Sequence, residues 1–326
     1  MMLMDNTTNS KLKEHTEEEK QSKITEIIKK GYAHHYKILM TFTLLIVLLA
    51  VAQVSYQYAT TGDIINKAVS INGGLTITIS TENREPLDQN VLIKALKEKF
   101  PENYVEAKTI DKGSKQLAVT VEADVTEKEG TELFIQIITE TTGIAQKDLN
   151  IEITGSSLGT SFFKDLMVAI GIAFLLMGLT VLIYLRTPIP SMAVILCAFS
   201  DIICTLAVVN LSGMKVGTAG IVGFLLLIGY SVDTDILLTV RVLKRKEGYY
   251  LDRIIDALKT GLTMTLTTLA AVVVALFLSK SEVITQIMTV LMIGLFFDML
   301  FTWIQNVGLL RLYLDYKERK DKEVKQ

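Results

Sequence analysis

The chain has 326 residues, 50% of them apolar, a net charge of −2 and only two cysteines. That composition, with its positive mean hydropathy, excludes a disordered chain and an ordinary soluble domain. The near-neutral balance gives no case for a nucleic-acid partner, and the charges are segregated, so their placement carries the information.

The first 36 residues are polar and mixed in charge. They do not read as a cleavable signal, because the first apolar stretch starts late and no small-residue cleavage pattern follows it. Residues 1–19 read as disordered and residues 20–30 as a short helix. Six apolar stretches of spanning length come next, at residues 37–56, 166–184, 189–211, 216–240, 262–278 and 283–310. Each suits a bilayer core, which takes about 20 helical residues. The last is longer and is expected to tilt or to leave the membrane at its end.

Lysine and arginine near the span ends set the orientation. Lys29, Lys30 and Lys37 precede or open the first span, and Arg186 separates the second and third. Arg241, Lys244, Arg245, Lys246, Arg253 and Lys259 lie around the connection from the fourth to the fifth, and Arg311, Lys317, Arg319 and Lys320 follow the sixth. The remaining short connections carry one lysine each, Lys215 and Lys280. The expectation is a multi-pass protein of the cell membrane, in contact with membrane lipid, with both termini cytoplasmic. Residues 57–163 then form an extracytoplasmic domain, residues 164–312 hold the other five spans, and residues 313–326 are a cytoplasmic tail.

Within the outer segment, residues 74–80 alternate apolar and polar, which predicts a strand. Residues 87–100 place Val91, Leu92, Ala95, Leu96 and Phe100 at helical spacing and stop before Pro101. Residues 104–110 predict a strand, Asp111-Lys112-Gly113 a turn, and residues 116–122 a strand with Leu117, Val119 and Val121 on one face. Residues 126–142 predict a helix with Leu133, Phe134, Ile137 and Ile138 as its stripe, ended by Gly143, and residues 149–153 a last strand. The order βαββαβ is the ferredoxin-like pattern. The fold class is therefore a polytopic α-helical membrane protein with six transmembrane helices plus one ferredoxin-like α+β extracytoplasmic domain. That domain contains no histidine and no Ser–His–Asp or Cys–His set, and Glu127 and Glu129 sit at a helix start where they favour the dipole. No catalytic residue, metal site or cofactor is expected. Cys197 and Cys204, both in the third span, read as small packing residues.

The chemistry-bearing residues lie inside the spans. A carboxylate at the centre of a membrane helix costs about 2.5–3.5 kcal/mol, so it is kept where it acts or is paired. The third span carries Asp201, the fourth Asp233 and Asp235, and the sixth Asp298, with no basic residue at comparable depth. Asp201 lies about 16 Å in from Pro190, Asp233 about 12 Å and Asp235 about 9 Å in from Arg241. Asp201 and Asp233 therefore predict one shared site. Asp235, about 200° around the helix from Asp233, is expected to look elsewhere and nearer to water, sharing its face with Ser231 and Thr239. Thr260, Thr263 and Thr267 form a stripe on the fifth span that is expected to join the Asp201–Asp233 site or to pack against another helix. Gly217, Gly220 and Gly223 predict close packing of the fourth span.

Four stretches resemble one family: Ser70-Ile71-Asn72-Gly73-Gly74 soon after the first span, Gly155-Ser156-Ser157-Leu158-Gly159 before the second, Asp201 in the third, and Ile228-Gly229-Tyr230-Ser231 followed by acidic residues in the fourth. Together they are similar to the SecF subunits of the protein-export machinery, in their archaeal form, over nearly the whole chain past residue 36. The resemblance implies half of a resistance–nodulation–division architecture, completed to twelve helices by a SecD-like membrane subunit. It also implies a Sec translocation channel and exported polypeptides as partners, and coupling of proton flow to export. Bacterial members place their key aspartate where this chain has Thr234, flanked here by Asp233 and Asp235, and an arginine where it has Thr260, beside Lys259. Two other readings stand beside this one: half of a proton-driven small-molecule exporter, and a structural membrane scaffold without ion coupling.

Overall fold

The computed structural model describes residues 26, 31, 34–81, 84–112, 115–154, 156–244, 249–279 and 281–323. The expectations for residues 1–25 and 27–30, for Gly113, for Gly155 and for Arg245, Lys246 and Lys280 lie outside the described residues, as does the Leu158 side chain. Asp111 and Lys112, expected in a turn, instead end a strand and pair with Gln116 and Lys115.

The elements run α1 (Tyr36–Thr61), α2 (Val69–Asn72), β1 (Gly74–Ser80), α3 (Gln89–Lys99), β2 (Val105–Lys112), β3 (Lys115–Ala123), α4 (Lys128–Thr142), β4 (Leu149–Thr154), α5 (Ser156–Leu185), α6 (Pro188–Leu211), α7 (Thr218–Lys244), α8 (Tyr250–Leu278), α9 (Glu282–Leu300) and α10 (Val307–Glu323). A π-helical segment, Phe301–Asn306, joins α9 to α10 without a break. Among the described residues six helices are long and apolar enough to cross a membrane: α1, α5 from Phe163, α6, α7, α8, and α9 running on into α10.

The bundle has an inside and an outside. α6 and α7 bury more than half of their apolar windows, whereas α1, α5 and α8 bury 17% or less and turn residues such as Leu48, Leu175 and Phe277 outward. α6 opens on Pro188, whose missing N–H costs nothing in a first turn. α9 fits closely against α7 because Gly294 leaves room for the Leu227 side chain that any Cβ would strike.

The α+β unit is a four-stranded antiparallel sheet in the order β2-β3-β1-β4. One face is covered by α3 and α4: Leu75, Ile77, Ile79, Val119 and Val121 point into the core and meet Leu96, Phe134 and Ile138, all fully buried. Asp88 caps α3 by accepting from the Asn90 N–H at 2.8 Å, and Gly143 closes α4 in the left-handed region at φ 67°. The α4 stripe differs from the expected one. Thr131, Phe134, Ile135 and Ile138 face the sheet and Leu133 is exposed. The 3.6-residue period fits either set, and the strand register selects the buried one. Gly73 and Gly74 take φ of 87° and 143° at the entry to β1, and a Cβ on Gly74 would collide with the Ala123 carbonyl.

The chain after α1 is sewn to the loop between α6 and α7. Val216 N–H donates to the Asn66 carbonyl at 2.7 Å, Ala68 N–H donates to the Val216 carbonyl at 3.0 Å, and the Asn210 amide donates to the Ile64 carbonyl at 2.9 Å. The sheet face turned away from α3 and α4 carries Glu106 and Glu122 as direct cross-strand partners. Like charges in that register repel. Lys108 answers at 3.6 Å from Glu106, and Lys215, from the α6–α7 loop, lies over the Tyr104 ring.

Candidate functional site: a buried carboxyl cluster

Three helices bring three carboxyl groups into the middle of the bundle. Asp201 on α6, Asp235 on α7 and Asp298 on α9 have no exposed surface. The Ser231 hydroxyl, one turn before Asp235, donates to Asp201. Asp235 accepts from the Thr302 hydroxyl at 2.9 Å and from the Asn306 amide at 2.7 Å, and Thr302 also lies 3.3 Å from Asp298. Gln305 donates to Ser200 at 3.3 Å, tying the same segment to α6. Oxygens of all three carboxyls remain without a hydrogen-bond donor, as do the side-chain amide oxygens of Asn306 and Gln305. Among the described residues no lysine or arginine pairs with any of the three. Nor is any group of three histidine, cysteine or acidic side chains placed to hold a metal ion.

The π segment makes this possible. Its wider turn shifts the residues after Phe301 around the helix, so Thr302, Gln305 and Asn306 all face inward and are buried. On the other side Trp303 fills the space left by Gly261 of α8, where any Cβ would strike the indole. Cys197 and Cys204 are buried free thiols, and Cys204 packs with Ala50 and Phe301.

The expected pairing is therefore redistributed. Asp235, expected nearer to water, is at the centre, and Asp233 is exposed on the opposite face of α7. The two-residue offset that separates them was legible; which face of α7 is covered was not. Asp233 lies in an uncovered stripe with Val222, Leu226, Gly229 and Tyr230, and a Cβ on Gly229 would touch nothing. Ser231 shares the buried face with Asp235, as its spacing requires.

Thr263 and Thr267 do not join the site. Both are exposed and return their hydroxyls to their own helix, to the Lys259 carbonyl at 2.8 Å and the Thr263 carbonyl at 2.9 Å. Helical geometry offers threonine that local acceptor, so it needs no partner. Thr260 instead receives the Arg241 guanidinium at 2.8 Å, which brings a cation from the end of α7 to the start of α8. Sequence reasoning missed Thr302, Gln305, Asn306 and Arg241. The signal for the first three was a polar run, Thr-x-x-Gln-Asn, inside an apolar helix one turn after Asp298.

Comparison with known proteins gives the family and the fold. Residues 134–316 match the family described as protein export membrane protein SecD/SecF, C-terminal. SecF of Methanocaldococcus jannaschii is 33% identical over 295 residues, covering 87% of this chain and 98% of that one. SecF of Pyrococcus furiosus is 33% identical over 289 residues, covering 87% and 93%. The crystal structure of SecDF, a translocon-associated membrane protein from Thermus thermophilus, superposes with a TM-score of 0.65 at 18% identity, covering 86% of this chain and 38% of that longer one. With a third of its residues shared with SecF proteins over nearly their full length, the chain belongs to the SecD/SecF family of protein-export membrane proteins.

Proposed function

We propose that this chain acts in protein export as a SecF-type accessory subunit of the Sec translocase, and that the Asp201–Asp235–Asp298 cluster is its working part. The observation that carries the second half is the company the carboxyls keep: three acids from three helices, Asp201 held by Ser231 of α7, Asp235 by Thr302 and Asn306 and Asp298 by Thr302 of a π-helical segment, with no cation. Such a group binds and releases protons in a place where the three helices would have to shift to accommodate the change. Intramembrane acids with no structural counter-ion are the ordinary material of proton pathways.

The rest of the reading follows from family membership and from charge. A SecD-like six-helix chain completes the assembly, and the stripe carrying Asp233 and Gly229 is the face it covers, because a carboxylate left against lipid is costly. The α+β unit is the ferredoxin-like extracytoplasmic domain, residues 57–163, and both termini are cytoplasmic by the lysine and arginine asymmetry. The Sec channel and the exported polypeptide are the partners that unit meets. The chain performs no catalytic chemistry of its own. The exporter alternative is not favoured, since the relatives are export proteins.

The test is an export assay in cells whose only copy carries a substitution. Asp201→Asn and Asp235→Asn should slow release of a secreted reporter while the protein remains inserted and bound to its partner. Asp233→Asn should reduce co-purification of the partner chain before it reduces export. Wild-type export rates in both Asp201→Asn and Asp235→Asn would sink the proton-linked reading and leave a scaffold.

A further inference from the structure

A slot opens at the end of the bundle that carries the α+β unit. It has a volume of about 380 Å³ and is walled by the end of α1, by α5, α6 and α7. Its wall is apolar: Met167 and Ile170 from α5, Leu206 from α6, and Phe224 from α7. At the mouth sit two charged residues, Asp63 and Lys67, paired at 2.5 Å, with the Lys67 ammonium 4.9 Å from the centre of the Phe163 ring. Its inner end is Ile202, next to Asp201, and Ile228, one turn from Ser231.

Dimensions select the occupant. Along α7 the slot runs from Ile221 to Ile228, about 10.5 Å at 1.5 Å per residue, which is about a third of a hydrocarbon core of about 30 Å. A volume of about 380 Å³ over that depth leaves a section of about 36 Å². A helix, about 10–12 Å across with its side chains, does not fit. One hydrocarbon chain does. The mouth selects the headgroup. Lys67 is one-fifth exposed and offers ammonium donors to a phosphate, and Asp63 offers acceptors to a hydroxyl. Lys67 is one partner of the strand-like bridge to Val216 that ties the segment after α1 to the α6–α7 loop, and Asp63 lies four residues before it.

We propose that this slot is a lipid site: one chain of a phospholipid from the leaflet on the α+β side fills it, the phosphate meets Lys67, and a headgroup hydroxyl meets Asp63. The chain tip then closes the apolar path from that side to the Asp201–Ser231 pair. The bound lipid packs against four elements at once, which distinguishes it from annular lipid lying along one helix.

The probe is phosphatidylglycerol with a diazirine at the end of one acyl chain, reconstituted with the full-length protein and photolysed, with the adducts mapped by mass spectrometry. Adducts should concentrate on the α5 segment around Ile170 and on Ile202, Leu206 and Ile228, at about one per chain. Leu206→Trp, which fills the slot, should reduce them about tenfold. Lys67→Met should reduce them severalfold, yet leave labelling by the same reagent built on diacylglycerol, which lacks the phosphate, unchanged. Adducts spread evenly over the outward faces of α1 and α8 would overturn the proposal, as would undiminished labelling in a folded Leu206→Trp protein. Equal loss of both reagents in Lys67→Met would overturn the headgroup assignment. If Leu206→Trp does not fold, the wild-type map alone decides between the slot and the annulus.

Discussion

The α+β unit and the helix bundle solve burial in opposite ways. In the unit, Leu75, Ile77, Ile79, Val119, Val121 and Phe134 are fully buried, and charge is kept off that core, with Glu122 buried on the opposite sheet face. In the bundle Leu44, Leu45 and Leu48 of α1 and Leu175, Leu176 and Leu179 of α5 face outward while Asp201, Asp235, Asp298, Thr302 and Asn306 have no exposure at all. Water drives the first arrangement: hiding apolar surface is worth about 25 cal/mol per Å². Lipid removes that drive, since a leucine gains little by leaving hydrocarbon, and leaves packing and polar contact to choose what meets at the centre. A buried polar group in the unit is thus an expense, and in the bundle it is where function is to be sought.

The sharpest way to break this comparison is to empty the unit's core. Phe134 is fully buried between α4 and the sheet and stacks at a tilt 5.4 Å from Phe100. Phe134→Ala should cost about 3–5 kcal/mol. A fragment of residues 71–154 should melt cooperatively by circular dichroism, since its core closes without metal or disulfide, and the substitution should lower its midpoint steeply or leave it unfolded. A fragment that shows no cooperative melt even with Phe134 in place would mean the unit leans on the bundle for its fold.

The corresponding deletion in the bundle should cost far less. Asp235→Leu strips an acceptor from Thr302 and Asn306. Thr302 keeps Asp298 at 3.3 Å, which leaves the Asn306 amide as the main unmet donor. Interhelical hydrogen bonds in membranes average about 0.6 kcal/mol, so the loss should be about 1–2 kcal/mol. Asp235→Asn keeps an acceptor and should cost about 1 kcal/mol or less, while removing the titratable group. Unfolding of the full chain in mixed micelles measures both. An Asp235→Leu loss as large as that of Phe134→Ala would make the cluster a structural keystone and weaken its functional reading.

How much of each region the sequence disclosed follows from the same contrast. Alternation and 3.6-residue spacing record water against core, so the α+β unit reads in order, element by element, down to the glycine that ends α4. Only the choice between Leu133 and Ile135 needed the sheet. In the bundle every face is apolar, so the spans read well and their rotations do not. Asp233 and Asp235 were both visible, and the face that carries each was clear, but nothing in the pattern says which face the other helices cover. The threonines of α8 looked like partners because exposed and buried threonine have the same hydropathy. The polar run of Thr302, Gln305 and Asn306 was in view, but the π segment that turns all three inward leaves no composition signature.

The smallest expected effect lies where the two regions meet. Tyr104, at the start of β2, is held well above its ordinary value of 10.0, first by burial and then by its hydrogen bond to Glu106. Lys215, reaching from the bundle, is lowered from 10.5 by burial, with Glu106 and Glu122 pulling it back up. The two act in opposite senses. Below pH 10 Tyr104 is protonated folded or unfolded; above it the unfolded chain releases a proton that the folded one keeps, so stability falls as pH rises. For Lys215 the unfolded chain holds the extra proton in the interval below 10.5, so stability rises with pH there. Tyr104 is displaced further, and a net alkaline loss should begin near pH 10. Melting of the full protein followed from about pH 8 to about pH 11 should show it. Tyr104→Phe should flatten the alkaline limb, and Lys215→Met should steepen it while costing below about 1 kcal/mol at neutral pH, as an exposed-edge contact does. An alkaline slope identical in the parent and in Tyr104→Phe would detach this tyrosine from the junction and leave the Val216 backbone bridge as what holds the unit to the bundle.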